Sequence, residues 1–273
     1  MEWKPSLSSM LGRRGQGIVA IIVAVFLLSL SDALVKSAGD RLGLGQIVFL
    51  RSAFAALLIS GGVVVFLGVE RLRLRRPFWV WARSLSLTAM WLCYYASLPP
   101  MSFALAAACY YTSPAWMALL SRFVLGEPVG GQRWFAILLA LGGVVLAVNP
   151  TAGTISAVVA LPLTAAFLYA LAAIITWSRC QNETSLSMAL NLNVTLAIAG
   201  GIAILGLALF PSADAETFVL SVWPGITPQD WLLVGILGVV LAVIATYRLI
   251  DWPPLRSSAY LTMRIFSLLP CGA

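Results

Sequence analysis

Long apolar runs separated by short polar interruptions dominate the chain. A helix that crosses a bilayer needs about 20 predominantly apolar residues. Eight runs reach that length, at about 17–36, 43–68, 78–98, 101–122, 131–149, 155–177, 186–210 and 230–249. Each predicts one membrane-spanning helix. Only "PPM" (99–101) separates the third run from the fourth, so a tight turn is expected there. Pro211 and Pro224 bracket the longest loop. After Arg248 the regularity stops: "LIDWPPLRSSAYLTMRIFSLLPCGA" is interrupted by prolines and by Arg256 and Arg264.

Composition sharpens this reading. Of 273 residues, 61% are hydrophobic and 10% charged, with a mean hydropathy of +0.96. Soluble domains carry roughly 25% charged residues, so the solvent of this chain is mostly lipid. The net charge of +7 then reads as loop charge that sets orientation, not as a nucleic-acid footprint. Lys4, Arg13, Arg14, Arg71, Arg73, Arg75, Arg76, Arg133, Arg179 and Arg248 fall inside if the N-terminus is cytoplasmic, against Lys36 and Arg41 outside. The basic start followed by an apolar stretch is read as an uncleaved first span, because the stretch is long and lacks a clean A-x-A end.

Several chemistries are excluded. The chain has no histidine, which removes histidine metal sites, the Ser-His-Asp triad and histidine proton relays. It has no GxxxxGK[ST] phosphate loop and no clustered carboxylates, which argues against an ATP-driven pump and against an enzyme. No cofactor or metal is expected. Cys93, Cys109, Cys180 and Cys271 form no CxxC and read as small core hydrophobes and incidental thiols.

The exceptional positions are polar groups inside apolar runs. Asp32 and Lys36 stand four apart in "VFLLSLSDALVKS" (25–37) and share a helix face. Lys36, at the end of its run, is expected to snorkel to the headgroups. Arg51 stands about eight residues into the second run, roughly 12 Å along a helix. A guanidinium at that depth costs about 2.5–3.5 kcal/mol on insertion scales and needs a partner. Antiparallel packing of the first two spans brings Asp32 and Arg51 within reach, either as a structural ion pair or as a substrate-binding or proton-coupling pair. Asp32→Asn is therefore expected to impair the protein far more than Lys36→Gln.

Aromatic clusters follow on the third and fourth runs. Trp91 and Tyr95 share one face, as do Tyr110 and Pro114. They suit belt or core packing, or a solute site. Pro114 removes a helical hydrogen bond, and broken helices with freed backbone groups mark transporter sites. Tyr111, Thr112 and Ser113 beside it offer hydroxyls. Thr164, Tyr169, Asn191 and Asn193 are polar positions of the sixth and seventh runs, serving as interhelical glue or as ligands. Glu127 reads as a turn carboxylate, and Gly142, Gly143, Gly200, Gly201 and Gly206 as points of close helix approach.

"SLSDALVKSAGDRLGLGQIVFLRSAFAALL" (29–58) and "ALAAACYYTSPAWMALLSRFVLGEPVGGQRWFAILLALGGVVLAVNP" (104–150) resemble the EamA branch of the drug/metabolite transporter superfamily. Arg51, Pro114, "LGEPVGGQRW" (125–134) and "GGVVLAVNP" (142–150) carry the likeness, which extends over 17 to about 248. It implies an all-α polytopic membrane protein of two inverted five-helix repeats working by alternating access. By that pattern, 1–16 is a cytoplasmic N-terminus and 17–150 a first repeat of five spans. Residues 151–248 form an incomplete second repeat of three, and 249–273 an atypical tail of frameshifted or truncated character. The function implied is secondary transport of a small organic metabolite across the cell inner membrane. Amino acids, riboflavin, nucleoside-like compounds such as S-adenosylmethionine, and drugs are the solutes, with a flat-ringed vitamin or nucleoside favoured by the aromatic clusters. The partners are that solute and the bilayer, with no nucleic acid and a homodimer left open. The alternative is an inactive or truncated membrane remnant, or a non-catalytic membrane partner.

Overall fold

The computed structural model describes residues 23, 26, 27, 29–35, 42–66, 68–126, 130–148, 157–209, 225 and 228–247. Lys36, Arg41, Glu127, Cys271, the loop 211–224 and the tail 249–273 lie outside them. All regular structure among the described residues is helical. The elements are α1 (29–35), α2 (Leu44–Phe66), α3 (Pro77–Ser97), α4 (Phe103–Tyr110), α5 (Ser113–Leu120), α6 (Gly131–Val148), α7 (Ala160–Arg179), α8 (Ser185–Leu209) and α9 (Pro228–Tyr247).

Local sequence explains the helix ends. Pro77 opens α3, where its missing N–H and fixed φ cost nothing. Ser102 caps α4, its hydroxyl accepting the Leu105 N–H at 3.3 Å. Gly126 follows the fourth run at φ 70°, a left-handed conformation that glycine adopts without strain. Among the described residues, four stretches are long and apolar enough to cross a membrane: Leu44–Val65, Phe103–Leu125, Ala160–Arg179 and Ser185–Leu209. The chain is a multi-pass helical membrane protein. Its outward residues agree, with Leu57 at 69%, Val65 at 71%, Leu139 at 68% and Ile202 at 66% exposure. Such a surface suits lipid and would be an aggregation hazard in water.

The fourth run is not one α-helix. Tyr111 and Thr112 form a turn between α4 and α5, and Ser121–Leu125 closes the run with a π-helical turn. Pro114 at the start of α5 has no N–H for the Tyr110 carbonyl, so the α-ladder cannot pass through. The Thr112 hydroxyl instead donates to the Cys109 carbonyl at 2.7 Å.

Helices distant in sequence pack together. α2 lies chiefly against α8 and α9, and α3 chiefly against α7 and then α8, whereas α2 and α3 scarcely touch. Small residues set the spacing at one crossing. A Cβ at Gly200 would lie 2.7 Å from the Phe49 nitrogen and 2.9 Å from the Gly45 carbonyl oxygen, so α2 and α8 meet backbone to backbone there. The expected close approaches at Gly142, Gly143 and Gly206 are not found among the described residues, where nothing lies within 4 Å of a Cβ built at those positions. Those three glycines are corrected from packing points to positions with open space where a Cβ would stand.

One end of the bundle is tied by a carboxylate. Glu183, 4% exposed in the α7–α8 turn, accepts the Arg75 N–H at 3.0 Å and the Arg76 N–H at 2.6 Å through Oε1. These donors lie just before α3, where a negative charge also meets the helix dipole favourably. The Arg179 guanidinium stands 5.0 Å from the Trp79 ring centroid, and Val80, Cys180 and Met188 form a small buried cluster beside it.

Candidate functional site

The largest fully buried side chain among the described residues is Arg51, on α2. It is 1% exposed, although its charge is permanent. Its surroundings are aromatic and come from α3. The guanidinium carbon lies 5.1 Å from the Trp91 ring centroid and 4.9 Å from that of Tyr95. Trp91 and Tyr95 are one turn apart, with ring centroids 5.0 Å from each other. Ring faces stabilise a cation by their quadrupole, about 2 kcal/mol when water is excluded.

Arg51 Nη1 donates to the Tyr95 hydroxyl at 2.6 Å, and that hydroxyl donates to Asp32 Oδ1 at 3.3 Å. Tyr95 is fully buried and Asp32, on α1, half-buried. Three helices therefore converge on a single chain of polar atoms: cation, phenol, carboxylate. The expected direct ion pair between Asp32 and Arg51 is corrected here. Two antiparallel helices would bring their ends together, but the phenol of a third helix occupies the space between. A neutral hydroxyl that both accepts and donates serves the two charges at once.

From this chain an aromatic line continues. Tyr94 lies 6.0 Å from Tyr95 and 5.2 Å from Tyr110 by ring centroid, and Tyr110 lies 5.7 Å from Tyr169. The line links α3, α4 and α7, joining residues from the two halves of the sequence. It ends beside the broken fourth run, where Thr112 and Ser113 are buried.

The candidates from the sequence thus divide. Asp32, Arg51, Trp91, Tyr95, Tyr110 and Tyr169 are joined in one connected set, with Thr112 and Ser113 beside Tyr110. Tyr111 is 64% exposed and turns out to the surface, because the turn between α4 and α5 rotates it off the inward face. Pro114 is exposed too and acts only through the helix break. Thr164 is exposed on α7. Asn191 and Asn193 are buried on α8, but the Asn193 amide donates to Ala189 of its own helix, so that amide is no interhelical glue.

Sequence reading passed over three residues. Tyr94 was hidden beside the Trp91/Tyr95 face. Arg83 stands within α3 and donates from Nε to the Thr176 hydroxyl of α7 at 2.8 Å. Glu183 fell in a loop, "QNETS", where a carboxylate carries no signal. Among the described residues, no group of three or more His, Cys, Asp or Glu side chains could hold a metal ion.

Comparison with known proteins agrees with this architecture. Residues 15–149 match the EamA-like transporter family. The pseudopaline exporter CntI of Pseudomonas aeruginosa (strain UCBPP-PA14) is 29% identical over 141 residues, 49% of this chain and 46% of that protein. The S-adenosylmethionine uptake transporter of Rickettsia prowazekii (strain Madrid E) is 26% identical over 175 residues, 63% of this chain and 58% of that protein. The chain spans about half the length of these curated relatives. A crystal structure of another protein, 22% identical, superposes with a TM-score of 0.57 over 84% of this chain and 77% of that one, a likeness of fold.

Proposed function

Because the chain belongs to the EamA branch of the drug/metabolite transporter superfamily, we propose that it is a secondary carrier of a small organic metabolite. The observation that carries this reading is the Arg51–Tyr95–Asp32 chain, held inside an apolar bundle. Intramembrane ionisable groups are costly and are kept where they bind or relay. Tyr95 on α3 is bonded to Arg51 on α2 and to Asp32 on α1, so a rocking of α2 and α3 together against α1 would break one hydrogen bond and leave the other. Rigid rocking of one set of helices against another around a central site is the motion of alternating access.

In this reading eight spans cross the cell inner membrane with the N-terminus cytoplasmic. The arginines at 73, 75, 76 and 179 gather at the end closed by Glu183, which supports that end as cytoplasmic. Residues 17–150 and 151–248 are two inverted repeats, the second incomplete, and 249–273 are a separate tail. The solute sits between the repeats, against Trp91, Tyr95, Tyr110 and Tyr169, with Asp32 and Arg51 reading its charges. Amphiphilic metabolites suit such a lining. The names of the two relatives, an exporter of pseudopaline and an importer of S-adenosylmethionine, support a metabolite of that kind without fixing direction.

Flux into proteoliposomes tests the proposal. The purified chain should move radiolabelled S-adenosylmethionine, an amino acid or riboflavin saturably, and Arg51→Gln should abolish it. No saturable flux of any of these solutes would refute the reading.

A further inference from the structure

Arg51 has donors on two edges, and only one is used. Nη1 is tied to Tyr95, while Nε and Nη2 are buried with no hydrogen-bond partner among the described residues. Those two nitrogens lie on the same side of the planar guanidinium. Their N–H bonds are nearly parallel and form the fork that a carboxylate fills with both oxygens. A buried donor left unsatisfied costs the desolvation of that group, and more when the group is charged. Leaving both on one edge, on a permanently charged side chain at 1% exposure, is an arrangement that a ligand completes.

We propose that the Nε–Nη2 edge of Arg51 is an oxyanion subsite that binds the carboxylate of the transported solute. It rests on the transport reading and narrows it to carboxylate-bearing solutes. The neighbours favour an organic anion over a bare inorganic one. The Trp91 and Tyr95 rings hold the guanidinium in place and give an apolar group a surface next to it. Tyr95 already fixes the guanidinium's orientation through Nη1, so the free edge is preorganised and loses little entropy on binding. The nearest competitor for the anion, Asp32, is held off by the phenol between them. A solute that also carries an amine would find Asp32 on the far side of Tyr95.

Benzoate and benzamide provide the test, differing only in whether they present a carboxylate. Equilibrium dialysis of radiolabelled benzoate against the full chain in lipid nanodiscs should show saturable binding. Benzamide and chloride should each compete at least tenfold more weakly, because one lacks the charge and the other the two-oxygen shape. Arg51→Lys keeps the charge and removes the fork, and should weaken benzoate at least tenfold. The ligand comparison needs no mutation, so it stands even if that variant folds poorly. Benzoate that fails to bind, or is displaced equally by benzamide, overturns the subsite. Equal displacement by chloride, or full binding to Arg51→Lys, reduces it to a diffuse positive potential and also overturns it. Saturable metabolite flux without benzoate discrimination would refute the subsite alone. Benzoate discrimination in a chain that moves no metabolite would refute the transport reading alone.

Discussion

Replacing Tyr95 by phenylalanine removes one oxygen and keeps the ring. The cation over the ring at 4.9 Å therefore stays, while two hydrogen bonds to charged partners are lost. A hydrogen bond to a charged group contributes about 1.5–3 kcal/mol. Within helical membrane bundles the measured mean is nearer 0.6 kcal/mol, because the unfolded chain also finds partners in the bilayer. Two features place Tyr95 toward the upper figure. The phenol is fully buried and Arg51 is 1% exposed, so water cannot replace the oxygen without a cavity. The Asp32 bond at 3.3 Å is the weaker of the two, and most of the loss falls on Arg51. We expect Tyr95→Phe to destabilise by about 2–3 kcal/mol. Tyr94→Phe is the control: its ring takes part in the same aromatic line, and its phenol bridges no charges. Steric trapping of the purified variants in bicelles measures the unfolding free energy directly. A loss for Tyr95→Phe within about 0.5 kcal/mol of that for Tyr94→Phe would refute the idea that the phenol serves two charges.

Other outcomes follow from the same geometry. Gly200→Ala should lower thermal stability by about 1–3 kcal/mol, since its Cβ meets α2 backbone, whereas Gly206→Ala, with nothing within 4 Å, should be near neutral in the same melt. Glu183→Gln removes the charge that holds the Arg75 and Arg76 N–H groups, and maleimide should then modify buried Cys180 about tenfold faster in a Cys93→Ser, Cys109→Ser, Cys271→Ser background; an unchanged rate would show that the tie does not seal that end. Asp32→Asn should impair insertion or flux far more than Lys36→Gln, and equal small effects would show that the half-buried carboxylate is not needed.

Hydropathy made the helices legible because lipid demands a continuous apolar run whatever the tertiary packing. Arg51 and Asp32 were legible for the converse reason, since each contradicts its run. Tyr95 could be found as an aromatic neighbour but not as the bridge between them. That role depends on the Tyr95 side chain of α3 reaching both Arg51 and Asp32, and helix adjacency leaves no trace in a periodicity. The break at Tyr111–Thr112 followed from Pro114, yet which way Tyr111 would turn did not, because two turn residues can rotate either way. Glycines misled in the same manner. Gly200 and Gly206 look equivalent along α8, and only the presence of α2 beside one of them separates their roles. Glu183 was silent because its partners are backbone N–H groups, which every sequence contains.

The cross-packing of α2 with α8 has a consequence for how the protein is made. Leu186, buried against Ile59 and Val63 of α2, follows Arg51 by roughly 135 positions, which a ribosome covers in about 7–27 s at 5–20 residues per second. From the synthesis of α2 until Gly200 emerges, the Gly45 and Phe49 backbone that receives it faces lipid, an insertion chaperone or a provisional neighbour. α3, which carries Trp91 and Tyr95, is synthesised within the first part of that wait, so the aromatic cover of Arg51 can form early while the outer face of α2 stays unclaimed. A cell that slows translation before α8 would prolong the life of this half-assembled intermediate. Membrane quality control should act there, on an arginine already sheltered and a helix face still waiting for its partner.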